Sequence, residues 1–165
     1  MNFKSKLIMA GILLLAFTAC KMQGRYGIKK DFSNGITTTY TNMEPAEVLR
    51  VMNGEIVPHN VVLLGESFEV INRDVKGLVV KDGKVSVGCS LVITDSNNKK
   101  ILVAEDLFKG KDVWDKDKAK ELKCTINTGK PMDWEQQYDI VVTFWDKYGN
   151  GKLENRLNVN IEDIP

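Results

Sequence analysis

The chain has one histidine, no Cys-x-x-Cys pair, four prolines and almost no net charge, with 23 basic against 22 acidic residues. Each shortage removes a class of protein. A lone imidazole, His59, cannot build a histidine-based zinc site. In "VPHNV" it reads as a loop histidine with a solvated or backbone-bonded ring. A near-neutral body offers no basic face for nucleic acid. "LGESF" at 64–68 is not Gly-x-Ser-x-Gly and lacks the helix of an esterase elbow. "NTGKP" has neither the Walker spacing nor its helix. Glycosidic chemistry needs paired carboxylates, one with its pKa raised by burial, whereas the acids here fall in turns, loops and polar strand faces. The chain therefore reads as a non-enzyme without metal or cofactor.

Two acidic stretches test that reading. Asp112, Asp115, Asp117 and Glu121 are interleaved with Lys111, Lys116, Lys118 and Lys120, which opposes cation binding and favours a solvated charged loop. Asp146 through Gly151 has Tyr148 where a Ca²⁺ loop would place its third ligand. Gly149, Asn150 and Gly151 suit a hairpin turn at positive φ.

The N-terminus carries more information. Met1 to Lys6 is short and basic, Leu7 to Phe17 is apolar and broken only by Gly11, and Thr18-Ala19-Cys20 closes the run with small residues. That is the order of a secretory signal peptide. Its apolar part is about half of the ~20 residues a spanning helix needs. Phe17-Thr18-Ala19-Cys20 resembles the lipobox of bacterial lipoproteins, Leu-(Ala/Ser)-(Gly/Ala)-Cys, with Phe17 in place of Leu. Such loosened boxes are similar to those of Bacteroidota lipoproteins. The resemblance implies that residues 1–19 are removed and that Cys20 carries a diacylglycerol thioether and an N-acyl chain. Each buried CH₂ contributes about 0.8 kcal/mol, so two or three chains anchor firmly where one binds marginally. Lys21, where an Asp would imply inner-membrane retention, implies the outer membrane. The lack of an acidic cluster after Cys20 implies a periplasm-facing molecule. Cleavage takes Lys4 and Lys6 and no acid, leaving 21 basic and 22 acidic residues.

Lipidation of Cys20 leaves Cys89 and Cys124. Alternation in Val85, Val87, Cys89, Leu91, Ile93 and in Leu122, Cys124, Ile126 points both thiols to the core. In an oxidising compartment they form either a disulfide or two buried thiols that pack as small hydrophobes.

Residues 20–35 read as the lipidated N-terminus and a polar, glycine-bearing tether, and 36–165 as a single domain. That domain reads as strand after strand. "EVLRVMNGEIV" sets Asn53-Gly54 between apolar stretches and Asp82-Gly83 precedes the cleanest strand, both hairpin signals. Leu153, Leu157, Val159 and Ile161 share one face with Asn155 as the exception. Seven to nine short strands predict an all-β, immunoglobulin-like antiparallel sandwich, with "TFWDKYGNGKLENRLNV" similar to a last F–G hairpin. The layout resembles uncharacterised Bacteroidota β-sandwich lipoproteins. By architectural analogy alone it is also similar to the β-sandwich lipoprotein of contractile (type VI) secretion systems. The implied role is binding or scaffolding, with a protein partner in the envelope and the membrane reached through the lipid. Trp114 and Trp134, among acids in predicted loops, form a candidate sugar-stacking platform, so a glycan-binding module is the alternative. Trp145 reads as packed on its sheet. A small hydrolase with an unrecognised site stands as the third reading.

Overall fold

The computed structural model describes residues 24–31 and 33–163. Cys20 and the signal-like segment lie outside the described residues. Twelve strands run in chain order: β1 (Tyr26–Asp31), β2 (Ile36–Thr41), β3 (Glu47–Met52), β4 (Glu55–Ile56), β5 (Val61–Leu63), β6 (Ser67–Arg73), β7 (Lys84–Asp95), β8 (Lys100–Ala104), β9 (Val113–Asp115), β10 (Leu122–Asn127), β11 (Gln136–Asp146) and β12 (Lys152–Glu162). One 3₁₀ turn, Lys118–Lys120, is the only helical element among the described residues.

The strands form two sheets. The larger has the order β1-β2-β12-β11-β7-β8, with β5 beside β12 and β9 beside β7, and the smaller is β10-β6-β3-β4. Pairing is antiparallel except for β5 with β12. The predicted all-β sandwich is therefore the observed architecture, with more strands than expected because β4, β5 and β9 are only two or three residues long.

Period-2 patterning sets which side chains meet between the sheets. Leu122, Cys124 and Ile126 of β10 face inward beside Phe68 and Val70 of β6, and oppose Cys89, Leu91, Ile93, Ile140, Val142 and Phe144 of the larger sheet. Full burial of a side chain the size of Phe144 contributes about 1.5–3 kcal/mol. Asn155 is inward and fully buried, and its Oδ1 accepts from Thr38 Oγ1 at 2.8 Å on neighbouring β2. That bond satisfies the amide oxygen, while Asn155 Nδ2 is buried with no hydrogen-bond partner among the described residues.

Three expectations need correction. The tether expected over 20–35 is strand from Tyr26 onward, in register with β2 from Tyr26↔Thr41 to Asp31↔Ile36. This edge strand buries almost nothing and is held by backbone pairing, so apolar periodicity could not reveal it. The charged segment after β8 is not all loop, since Val113–Asp115 pairs with Lys84–Ser86 as β9. Asp146 to Gly151 is a turn, but not through positive φ, which neither Asn150 nor either glycine adopts. Gly149 is required by close approach: a Cβ there would lie 2.6 Å from Val79 Cγ2 and 2.7 Å from Asp146 Oδ2. Asp146 itself accepts from the Val79 and Tyr148 N–H groups at 2.7 and 2.9 Å.

Candidate functional site

On one flank of the sandwich stand β10, an outer strand of the small sheet, and β8 and β9, which pair with β7 of the large one. A cleft of about 490 Å³ lies there, walled by Leu107, Phe108 and Trp114, with Cys124 at its floor and Lys118, Glu121 and Lys123 around its rim. A second hollow, on the outer face of the large sheet, is lined by Thr94, Asn98, Asp139, Arg156 and Asn158, and a third by Val75, Leu78, Val80 and Val85 with Lys116, Asp117 and Lys120. Apolar walls with a few polar groups at the mouth are what a small-molecule site presents.

The wall is held from behind by a charge clamp. After β8 the chain turns so that Leu107 N–H donates to the Cys89 carbonyl at 2.6 Å, while Asp106 Oδ1 accepts from Cys89 N and Phe108 N at 3.3 and 3.0 Å. Lys147, from the β11–β12 turn, donates to Asp106 Oδ2 at 2.7 Å and Asp112 Oδ2 at 3.0 Å. Asp112 also accepts from Ser86 Oγ at 2.9 Å. Burial works to raise the Asp106 pKa, but the Lys147 bond and the two backbone N–H bonds outweigh it and hold the carboxyl low. The Lys147 and Ser86 bonds hold Asp112 low as well. Lys147 is raised, chiefly by Asp106. Within the wall, Phe108 meets Trp114 edge-on with centroids 5.0 Å apart and lies 6.0 Å from Phe144. Trp114 Nε1 donates to the Lys111 carbonyl at 2.7 Å, so its polar end is satisfied and its apolar face remains for the cleft.

The rim is positively biased. Glu121 is 3.6 Å from Arg73, and Lys123 is 3.1 Å from Glu69. Lys118 makes no ion pair among the described residues. The acids of the charged segment are each engaged by a cation: Asp112 by Lys147, which it shares with Asp106, Asp115 by Lys84, Asp117 by Lys120 and Glu121 by Arg73, which it shares with Glu47.

The residues singled out in the sequence fare differently. Cys89 and Cys124 are free, buried thiols carried by different sheets of the sandwich. Trp114 enters the cleft wall from a strand, but Trp134 does not join it. Trp114 is opposite Val85 on β7, while Trp134 precedes β11, whose Tyr138 is opposite Asp95. Those rungs are ten residues apart along β7, about 33 Å at ~3.3 Å per residue. The two indoles therefore cannot share a platform, and Trp134 stands 51% exposed at the far end. Trp145 lies on the outer face against Gly88, as expected. His59 has its ring Nδ1 3.0 Å from the Val61 carbonyl, the backbone contact expected of a loop histidine. Leu107, Phe108 and Lys123 were not singled out, and Lys118 was read only as one of the lysines that oppose cation binding. The available signal was an apolar pair, Leu107-Phe108, followed by Lys-Gly-Lys.

No family model matches the chain, and no curated protein matches it in sequence. Among solved structures it is similar to the crystal structure of the C-terminal domain of wzt, at 8% identity, a TM-score of 0.48, and coverage of 88% of this chain and 81% of that one.

Proposed function

We propose that this chain is a non-enzymatic binding protein, held at a bacterial outer membrane by acyl chains on Cys20, whose ligand is an anionic amphiphile seated in the Trp114 cleft. The cleft carries the proposal: apolar walls of Leu107, Phe108 and Trp114 suit a hydrocarbon or aromatic body, and Lys118 at the rim, which acts on Asp115 without forming a salt bridge among the described residues, suits an anionic head. Its one carboxylate, Glu121, is taken up by Arg73 and is not set for acid–base work. The lipid anchor rests on the lipobox-like residues 17–20 alone.

Calorimetric titration with dodecanoate, against dodecylammonium as the charge control, tests the ligand class. Dodecanoate binds, the cation binds more weakly, and Trp114→Ala lowers dodecanoate affinity roughly tenfold or more, the loss of about 1.4 kcal/mol of apolar contact. Trp134→Ala leaves it unchanged. Equal affinity for both amphiphiles, or insensitivity to Trp114→Ala, defeats the proposal. Mass spectrometry of the membrane fraction tests the anchor separately, through an acylated N-terminal peptide beginning at Cys20.

A further inference from the structure

One end of the sandwich is tied together by hydrogen bonds between distant segments. Arg25, just before β1, donates from its N–H to Asn42 Oδ1 at 3.1 Å, and its carbonyl accepts from Asn42 N at 2.5 Å. Asn42 Nδ2 donates in turn to Asn150 Oδ1 at 2.9 Å, in the β11–β12 turn. That turn holds the 77–83 segment, because Val79 N–H donates to Asp146 Oδ2 at 2.7 Å. The segment is also braced from within. Lys81 and Lys84 exchange backbone hydrogen bonds at 2.8 and 2.9 Å around Asp82 and Gly83, both at positive φ. Leu78 packs against the core, and the Lys81 ammonium stands 4.7 Å from the Tyr148 ring centroid.

What this braced segment turns to solvent is aliphatic, with Val79 39% and Val80 47% exposed. The charge around it is mostly positive. Arg25, Lys76, Lys81 and Lys116 make no salt bridge among the described residues, whereas Asp115 is taken by Lys84 and Asp117 by Lys120. Asp74 and Asp82 are the carboxylates left without an ion pair there. Lys116 also lines the hollow beside Val80, and its N–H donates to the Gly83 carbonyl at 3.2 Å.

We propose that this end is a seat for an anionic phospholipid surface. Val79 and Val80 enter the boundary between headgroups and acyl chains, and Arg25, Lys76, Lys81 and Lys116 meet the phosphates. An apolar tip ringed by cations gains both from buried area and from headgroup charge. A segment already braced gives up little freedom on docking. The occupant is lipid, because the chain that leads back to Cys20 leaves the domain at this same end, through Arg25. The seat rests on the proposed anchor for bringing lipid to this end, and adds that the domain itself touches the bilayer.

Lysine acetylation, read residue by residue through peptide mapping, tests the seat on the full chain isolated from the membrane fraction. The chain is placed in detergent micelles, in phosphatidylcholine vesicles, or in vesicles of phosphatidylcholine mixed with phosphatidylglycerol. In the mixed vesicles Lys76, Lys81 and Lys116 lose most of the reactivity they show in micelles and in phosphatidylcholine. Lys99 and Lys100 keep theirs, since Lys100 lies opposite Thr94 at the far end of β7. Val80→Asp, at an exposed position, restores the reactivity of the protected lysines. The proposal is overturned by unchanged reactivity at Lys76, Lys81 and Lys116, by an equal loss at Lys99 and Lys100, by an equal loss in both kinds of vesicle, or by protection that survives Val80→Asp. The same digests read the anchor separately. An unacylated Cys20 peptide with these lysines protected defeats the anchor alone, and an acylated one with them reactive defeats the seat alone.

Discussion

Gly88 and Trp145 stand directly opposite one another on β7 and β11, and the indole lies over the glycine so closely that a Cβ at 88 would be 2.1 Å from Cε2 and Cζ2. The same arrangement recurs at the sheet's other side, where a Cβ on Gly27 would lie 2.3 Å from the hydroxyl oxygen of Tyr40, its direct partner on β2. A glycine in a strand weakens it, and an aromatic laid across the bare backbone restores packing.

Gly88→Val therefore lifts Trp145 off the sheet. The expected cost is about 1–3 kcal/mol, read from the urea midpoint, with a red shift of tryptophan emission in the folded state. An unchanged midpoint would show that the ring relocates without loss and that the glycine is not required.

The Lys147 clamp makes a pH-dependent prediction. Asp106 and Asp112 are held below the ordinary 3.8, so their contribution to stability is full above that value and is lost as pH falls through their lower folded values. Lys147 is raised above the ordinary 10.5, so its contribution is full below that value and is lost as pH rises through its folded value. Lys147→Met should cost most between roughly pH 5 and 9, with wild type and variant converging in acid below 3.8 and in alkali above 10.5. A gap between the two that stays constant from acid to alkali would show that the clamp contributes only packing.

Arg50 gives a third test. It is fully buried on β3, donates from Nη1 to the His59 carbonyl, and has its guanidinium 5.9 Å from the Phe68 ring centroid. Its Nε and Nη2 have no hydrogen-bond partner among the described residues, and burial lowers its pKa. Replacing a buried, incompletely paired charge by an apolar group of similar volume is commonly neutral or stabilising by about 1–4 kcal/mol. Arg50→Met should therefore unfold at equal or higher urea concentration, and Arg50→Ala, which leaves a cavity, about 2–5 kcal/mol lower. If both variants lose stability alike, the charge itself is holding the 57–60 segment in place.

Which parts of this were legible in the sequence follows from periodicity. β7, β10 and β12 show one apolar face each, and so the inward direction of Cys89 and Cys124 could be read directly. Their positions relative to each other could not, because that depends on which strand of one sheet lies over which strand of the other. β1 carries no buried face, with Tyr26 74% and Ile28 58% exposed, and its pairing is a property of the backbone. Trp114 was noticed as an aromatic among acids, but the strand that carries it is three residues long. Phe108 lies in the turn that follows β8, fixed by Asp106 and Lys147 rather than by any local pattern. Asn155 broke a face, and the partner of its amide oxygen is Thr38, far away along the chain.

The early start of β1 sets a height. Only five residues lie between Cys20 and Tyr26, a reach of at most about 20 Å for extended chain. Tyr26 shares one rung of the large sheet with Thr41, Lys152, Trp145 and Gly88. Gly88 precedes Cys89, whose carbonyl holds the Leu107 turn of the cleft wall, and Val85, opposite Trp114, is nearer still to the start of β7. With Cys20 acylated as proposed, that reach would keep the Tyr26 rung, and the Trp114 cleft beyond it, close to the lipid. An amphiphile leaving the leaflet would meet the cleft after a short step and with little of its hydrocarbon exposed to water.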